Sequence, residues 1–258
     1  MSFLIDTHAH LNFPEFETDR NEVIARAFAG GIKVIINPSS SVATSRTAVK
    51  LAQAYPQIFA AVGVHPYEID TFSASALEEL ILKPKVVALG ECGLDFFRRK
   101  NREILEKQRV AFEKQLRLAE KYNLPVIVHS RNAFDLTLAI LKEYDVRAVF
   151  HCWSYGLKEA LTAIKSGYSI SFTAIVTYPN ADPIRQTAAA IPPDKFWLET
   201  DSPLLPPQSQ RGQRNEPQNL WEIARQVADL RQVDLNILVE KTSVNAIRFF
   251  KLKDLKKW

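Results

Sequence analysis

The stretch FLIDTHAH at 3–10 decides the fold. It is a short apolar run that ends in two histidines, and the pattern recurs down the chain. IFAAVGVH at 58–65 closes on His65, LPVIVH at 124–129 on His129 and RAVFH at 147–151 on His151. Those five are all the histidines in 258 residues. Two carboxylates end comparable runs, Glu91 in KVVALGE at 85–91 and Asp201 in KFWLETD at 195–201. In a parallel barrel the C-terminal strand ends converge on one rim, where such folds place their chemistry. Histidine is the commonest side-chain metal ligand. A whole supply spent on strand ends is hard to explain by packing and points to a metal centre.

Outward from that stretch, apolar runs lie near 3–6, 32–36, 58–64, 85–89, 125–128, 147–150, 168–172 and 195–198. Helical periods fill most intervals. Over 103–121, Leu105, Phe112, Leu116 and Ala119 share one face with no Gly or Pro between them. Parallel strands need crossover helices, so the alternation predicts an α/β fold, a (β/α)8 TIM barrel. Two closing C-terminal helices are expected over 217–230 and 234–250, the second capped by Asp234. No linker, repeat or low-complexity segment interrupts the chain, so residues 1–258 read as one barrel domain. The longest expected loop, LLPPQSQRGQRNEP at 204–217, follows Asp201 on the same rim.

Composition excludes several classes. At 47% hydrophobic and 24% charged the chain is ordinary for a globular protein. No apolar run approaches the roughly 20 residues of a membrane span. The start MSFLIDTHAH lacks the basic region of a signal peptide. Two cysteines, Cys92 and Cys152, exclude a disulfide framework and fit a reducing compartment, so a cytoplasmic location is expected. A net charge of +4 favours an anionic partner mildly. The cluster FRRKNR at 97–102 is more informative, because it follows Glu91.

His8 and His10, two apart on a strand, point the same way and can present two imidazoles to one ion. Glu91 needs an arginine, a metal or solvent to offset burial. A salt bridge to Arg98 or Arg99 is the plain alternative, whereas a carboxylate can bridge two cations as an imidazole cannot. Asp201 in ETDSP could be a turn aspartate, and Glu199 competes with it; its place at the strand end favours Asp201. Cys92 and Cys152 each follow a candidate ligand, so alternation turns both thiols toward the helices. Trp153 and Tyr155 could stack on a base, or Trp153 could pack under the following helix.

With these motifs in place, the chain resembles the TatD family of metal-dependent deoxyribonucleases among the amidohydrolase-type barrels. DTHAHL at 6–11, GVHP at 63–66, GECGLDF at 90–96 and LPVIVHSR at 124–131 carry the resemblance. HCWS at 151–154, LETDSPLLPP at 198–207, RNEP at 214–217 and TSVNAIRFF at 242–250 continue it in family order. It implies metal ligation by His8, His10, Glu91, His129, His151 and Asp201, the six that strand ends also select. It departs from the family after the HC pair, where Trp153, Ser154 and Tyr155 precede Gly156. Two divalent ions, Zn, Mn, Mg or Co, would lie about 4 Å apart with Glu91 between them and activate a water. His8, His10 and Asp201 would hold one ion, His129 and His151 the other, with Glu91 and Asp201 as catalytic carboxylates. His65, Arg98, Arg99 and Arg131 are candidate phosphate contacts; the plain alternatives are that His65 orients a neighbour, that Arg131 pairs with a ligand carboxylate, and that Arg98 and Arg99 lie on a solvated face.

The function expected is hydrolysis of DNA, single-stranded or at its ends. An ester or amide hydrolase is the alternative, acting on D-aminoacyl-tRNA or a small amide, and a non-catalytic nucleic-acid-binding barrel stands behind it. No membrane partner and no obligate protein partner are implied.

Overall fold

A computed structural model describes residues 3–97 and 101–252. Eight parallel strands form one sheet in chain order: β1 Leu4–Asp6, β2 Ile32–Asn37, β3 Ile58–Val62, β4 Val86–Asp95, β5 Val126–Arg131, β6 Ala148–Phe150, β7 Ser169–Phe172 and β8 Phe196–Leu198. A helix follows each strand: α1 Arg20–Ala29, α2 Val42–Ala54, α3 Ala74–Ile81, α4 Arg102–Lys121, α5 Phe134–Leu141, α6 Leu157–Lys165, α7 Asp182–Ala190 and α8 Leu220–Arg231. The fold is a (β/α)8 barrel. Of the two closing helices expected, α8 takes the regular eighth position and only the last, α9 Leu235–Phe250, is additional. Asp234 caps it, accepting from the Asn236 and Ile237 N–H groups. No helix among the described residues is long and apolar enough to cross a membrane.

Closure falls at the functional rim. The residues just past β1 and β8 make the seam: the His8 carbonyl accepts from the Asp201 N–H at 2.8 Å, and the Ser202 carbonyl from the His10 N–H at 2.7 Å. Backbone pairing that completes the barrel therefore sets His8, His10 and Asp201 side by side.

Strand alternation divides the core. Leu4, Val126, Val128, Phe150 and Leu198 face the helices. Ile5, Val34, Ile36, Ala61, Ala88, Ile127, Val149 and Trp197 fill the barrel interior below the rim, with Ala246, Phe250 and Leu252 packed on the same cluster. The Phe249 and Phe250 rings lie 4.6 and 6.1 Å from Trp197. Phe250→Ala is expected to destabilise the protein by about 3–5 kcal/mol, because the cavity beneath Trp197 cannot fully collapse. A urea midpoint unchanged from wild type would mean that this helix end is dispensable.

The fourth strand departs from its expected form. It runs ten residues, through Glu91 to Asp95, instead of stopping near Leu89. Its register against β5 shifts between Leu89 and Cys92, an irregularity that breaks strict alternation. Ala88 faces the interior and so does Glu91, three residues on, while Cys92 joins the outer core. Strict alternation from Ala88 would have sent Cys92 inward and Glu91 out. Glycine permits the close approach: a Cβ on Gly90 would meet the Ile127 carbonyl at 2.6 Å, and one on Gly93 would collide with the His129 carbonyl.

Candidate metal centre

Seven side chains converge on the rim: His8 and His10 beyond β1, His65 beyond β3, Glu91 within β4, His129 within β5, His151 beyond β6 and Asp201 beyond β8. All but fully buried His8 line a cavity of about 560 Å³. Glu91 lies at the centre, 4% exposed, and its two oxygens face different partners. Oε1 is 2.7 Å from both His129 Nδ1 and His151 Nε2. Oε2 is 3.4 Å from His8 Nε2 and 3.6 Å from His10 Nε2. Asp201 Oδ1 completes the second group, 3.6 Å from His8 and 3.4 Å from His10.

These spacings test whether the residues suit a metal. Ligand atoms on a tetrahedron at about 2.0–2.1 Å from zinc are about 3.3–3.4 Å apart. His8 Nε2 and His10 Nε2 lie 3.1 Å apart, and each is 3.4–3.6 Å from Glu91 Oε2 and from Asp201 Oδ1. The donor set fits. Electrostatics agree. Burial works against ionised Glu91, yet the charge of His151 and hydrogen bonds from His129 and His151 hold its carboxyl well below the usual range. Burial likewise opposes charge on Asp201, and His10 and His8 outweigh it. For His151, burial disfavours protonation, but Glu91 and Glu199 push its pKa well above normal. Protonated imidazoles here balance buried carboxylates, a role that divalent cations take over by displacing the protons.

His65 differs from its neighbours. Burial, then the His129 charge, lowers its pKa to about 3, so its ring is neutral. Its Nδ1 accepts the Tyr67 N–H at 3.1 Å, which leaves the proton on Nε2. Nε2 stands 3.5 Å from Glu91 Oε1. In this tautomer His65 presents a donor to the cavity, and with Glu91 and His129 it also makes a cluster of metal-ligand type.

Supporting groups around the histidines carry no signal in residue spacing. Asp95 accepts from His129 Nε2 at 2.9 Å and from the Phe97 N–H at 2.9 Å, and Tyr67 also bonds it. This carboxylate orients the His129 ring with Nδ1 toward Glu91. Asp95 was legible only as part of GLDF, without a role. Glu199, weighed as a competing ligand, stands behind His151: it accepts the Cys152 N–H at 2.7 Å and lies 3.5 Å from His151 Nδ1. With His8 and His151 it makes a further cluster of metal-ligand type. Below the rim, Gln108 and Gln115 sit two turns apart on the buried face of α4. Gln108 bonds the Asp95 backbone and Gln115 the Val64 backbone, bracing the segments that carry Asp95 and His65. Asp95→Asn is expected to lower turnover about 10–100-fold and to weaken metal affinity to a similar degree. Full metal occupancy and wild-type turnover in that variant would remove Asp95 from the centre.

Other expectations need correction. Cys152 does not turn to the helices; it lines the cavity. β6 ends at Phe150, and Cys152 adopts a left-handed φ of 48°, so strand alternation no longer governs it. Cys92 does face the outer core. Trp153 is 2% exposed and packs edge-on to Phe134 of the preceding helix α5 and to Phe150 of β6, so it offers no face to a base. The Tyr155 hydroxyl accepts from the Ala133 N–H and bonds Ser130. Arg131 lines the mouth of the cavity with its guanidinium 3.9 Å over the Phe97 ring. Arg98 and Arg99 lie outside the described residues.

Comparison with known proteins agrees with this site. The family model described as TatD related DNase matches residues 5–251. The chain belongs to the TatD-related DNase family. It is 36% identical over 255 residues to YabD of Bacillus subtilis, an uncharacterised metal-dependent hydrolase, covering 96% of this chain and 99% of that one. A protein of Edwardsiella piscicida named 3'-5' ssDNA/RNA exonuclease TatD is 38% identical over 262 residues, covering 96% and 100%. Among solved structures, the TatD homologue YjjV of Escherichia coli K12 superposes with a TM-score of 0.91 at 32% identity, covering 96% and 98%. This TatD-family chain is a metal-dependent hydrolase.

Proposed function

We propose that the protein is a two-metal phosphodiesterase that acts on DNA, single-stranded or at unpaired ends. The observation that carries the reading is the division of Glu91, one oxygen toward His8 and His10 and the other toward His129 and His151. Asp201 would share the first ion with His8 and His10, and Glu91 would be common to both. Divalent ions bound there supply Lewis acidity and lower the pKa of a water. Imidazole and carboxylate donors suit zinc, manganese or cobalt, with magnesium through looser ligation.

The chain's own groups do the rest. Ionised Asp201, beside His8 and His10, accepts the proton of the attacking water. His65 Nε2–H donates to a non-bridging phosphate oxygen, and the Arg131 guanidinium holds a flanking phosphate at the mouth. Arg131 on the cavity wall favours a phosphate substrate over a small neutral amide. Relatives named as single-stranded DNA and RNA exonucleases support the same substrate class. Free Cys92 and Cys152 suit a cytoplasmic enzyme.

The test is to incubate metal-loaded protein with labelled single-stranded DNA, duplex DNA and D-aminoacyl-tRNA. Cleavage of the single strand in preference to the other two is expected; deacylation without DNA cleavage would replace this reading. Arg98 and Arg99 follow Phe97 directly and belong to the same test. Replacing both with Gln is expected to weaken DNA binding and flatten its log–log salt dependence by about one to two units. An unchanged salt slope in a folded, metal-replete variant would take them out of the binding surface.

A further inference from the structure

The cavity is two-sided, and one side has no role in the reaction as described. His65, Tyr67 and Arg131 make a polar wall, whereas Phe13, Ile175, Leu204 and Leu205 make an apolar one. The apolar wall is attached to the His10 and Asp201 side of the centre. The Phe13 ring stacks on the His10 ring at 4.2 Å with a 20° tilt. The Leu204 N–H donates to the Asp201 carbonyl at 2.9 Å, closing a turn that fixes this leucine beside a candidate ligand.

The two leucines sit where folding alone does not favour them. Leu204 is 47% exposed, although a large aliphatic side chain gains nothing from water there. Leu205 holds a left-handed φ of 50°, a conformation costly for a side chain of this kind. Both are kept in place from below by fully buried Asn215. Its Nδ2 donates to the Thr200, Leu204 and Leu205 carbonyls at 2.9, 2.8 and 3.1 Å. Its Oδ1 accepts from the Glu216 N–H and from Asn219 Nδ2. Arg214 alongside is paired with Asp19 and Glu216, which ties the loop to α1. A rigid loop that displays exposed and strained leucines into an active-site mouth spends stability on presenting apolar surface.

On the phosphodiesterase reading above, we propose that Phe13, Ile175, Leu204 and Leu205 form a platform for one unpaired nucleobase flanking the scissile phosphate. A base has two apolar faces and a polar edge, and an apolar wall engages the faces whatever the base identity. The strand runs on across the centre toward Arg131, so the polar wall meets the next phosphate. A base lying flat on the platform cannot remain paired. The site therefore selects single strands and frayed ends by shape, with little sequence preference.

The probes are single-stranded oligonucleotides carrying either a normal or an abasic nucleotide at each end, given to metal-replete wild type and to Leu204→Ser. This side chain is exposed, so the variant should fold; thermal melting checks it, and Leu205→Ala provides a second variant. Wild type is expected to favour the base-bearing end by about tenfold in kcat/KM, in the range of a single stacked base. In Leu204→Ser and Leu205→Ala the ratio should fall toward one. Equal cleavage of normal and abasic ends by wild type, or a ratio unmoved in both folded variants, overturns the platform and leaves the nuclease reading intact. Failure of wild type to cleave any of the oligonucleotides sinks the nuclease reading, and the platform with it.

Discussion

Glu91→Gln is expected to reduce turnover by about 10³-fold or more, the largest effect of any single substitution in the protein. The amide keeps the shape of the carboxylate and removes its charge. One oxygen then becomes an NH2 group that cannot ligate, so whichever ion it faces loses a donor. The remaining oxygen carries only the weak donor strength of a neutral carbonyl. Both halves of the centre are damaged by one change, because Oε1 and Oε2 serve different histidine pairs. His65→Ala should cost less, roughly 10–100-fold, and mainly in KM, since its neutral ring offers a hydrogen bond to substrate. Elemental analysis alongside kcat and KM checks both. Equal, minor losses in the two variants would mean that Glu91 does not join the two groups.

Chelation is expected to abolish hydrolysis and to lower the melting temperature together. Burial disfavours charge on Glu91 and Asp201, and the neighbouring imidazoles, His129 and His151 on Glu91 and His8 and His10 on Asp201, keep both carboxyls below their ordinary range when no metal is bound. Divalent ions place stronger positive charge beside the same carboxylates, and because the site exists only in the folded protein they favour the folded state by mass action. At about 100 times its dissociation constant, one ion contributes about 2.7 kcal/mol. Reconstitution with Mn or Zn should restore activity with close to two equivalents bound. A stoichiometry of one would reduce the site to its His8, His10 and Asp201 half. Full activity in protein free of metal would remove the mechanism altogether.

Much of the site was legible in residue order because its parts follow local rules. A strand ends where an apolar run stops, and in a parallel barrel every such end faces one rim. His8, His10, His65, His129 and His151 are therefore read together from runs that share no sequence similarity. The helices follow equally local signals, as with the 3.6-residue face of α4 and the Asp234 cap of α9. Strand-end logic failed at β4, which extends past Glu91 to Asp95. It failed again at Cys152, whose backbone has already left the strand conformation.

What the sequence by itself determined is the inventory: a (β/α)8 barrel, a histidine-rich rim and two carboxylates of metal-binding type. The tertiary structure alone decided how these meet. Glu91 points inward, and Cys92 outward, because β4 changes register against β5, and that slip depends on the packing of two strands more than thirty residues apart. Asp95 reaches His129, Glu199 backs His151, and Asn215 holds Leu204 and Leu205 for similarly long-range reasons. Period and capping are properties of neighbouring residues, written in spacing. Cross-strand register and loop anchorage are set by the balance of contacts over the whole barrel, and no local pattern encodes that balance.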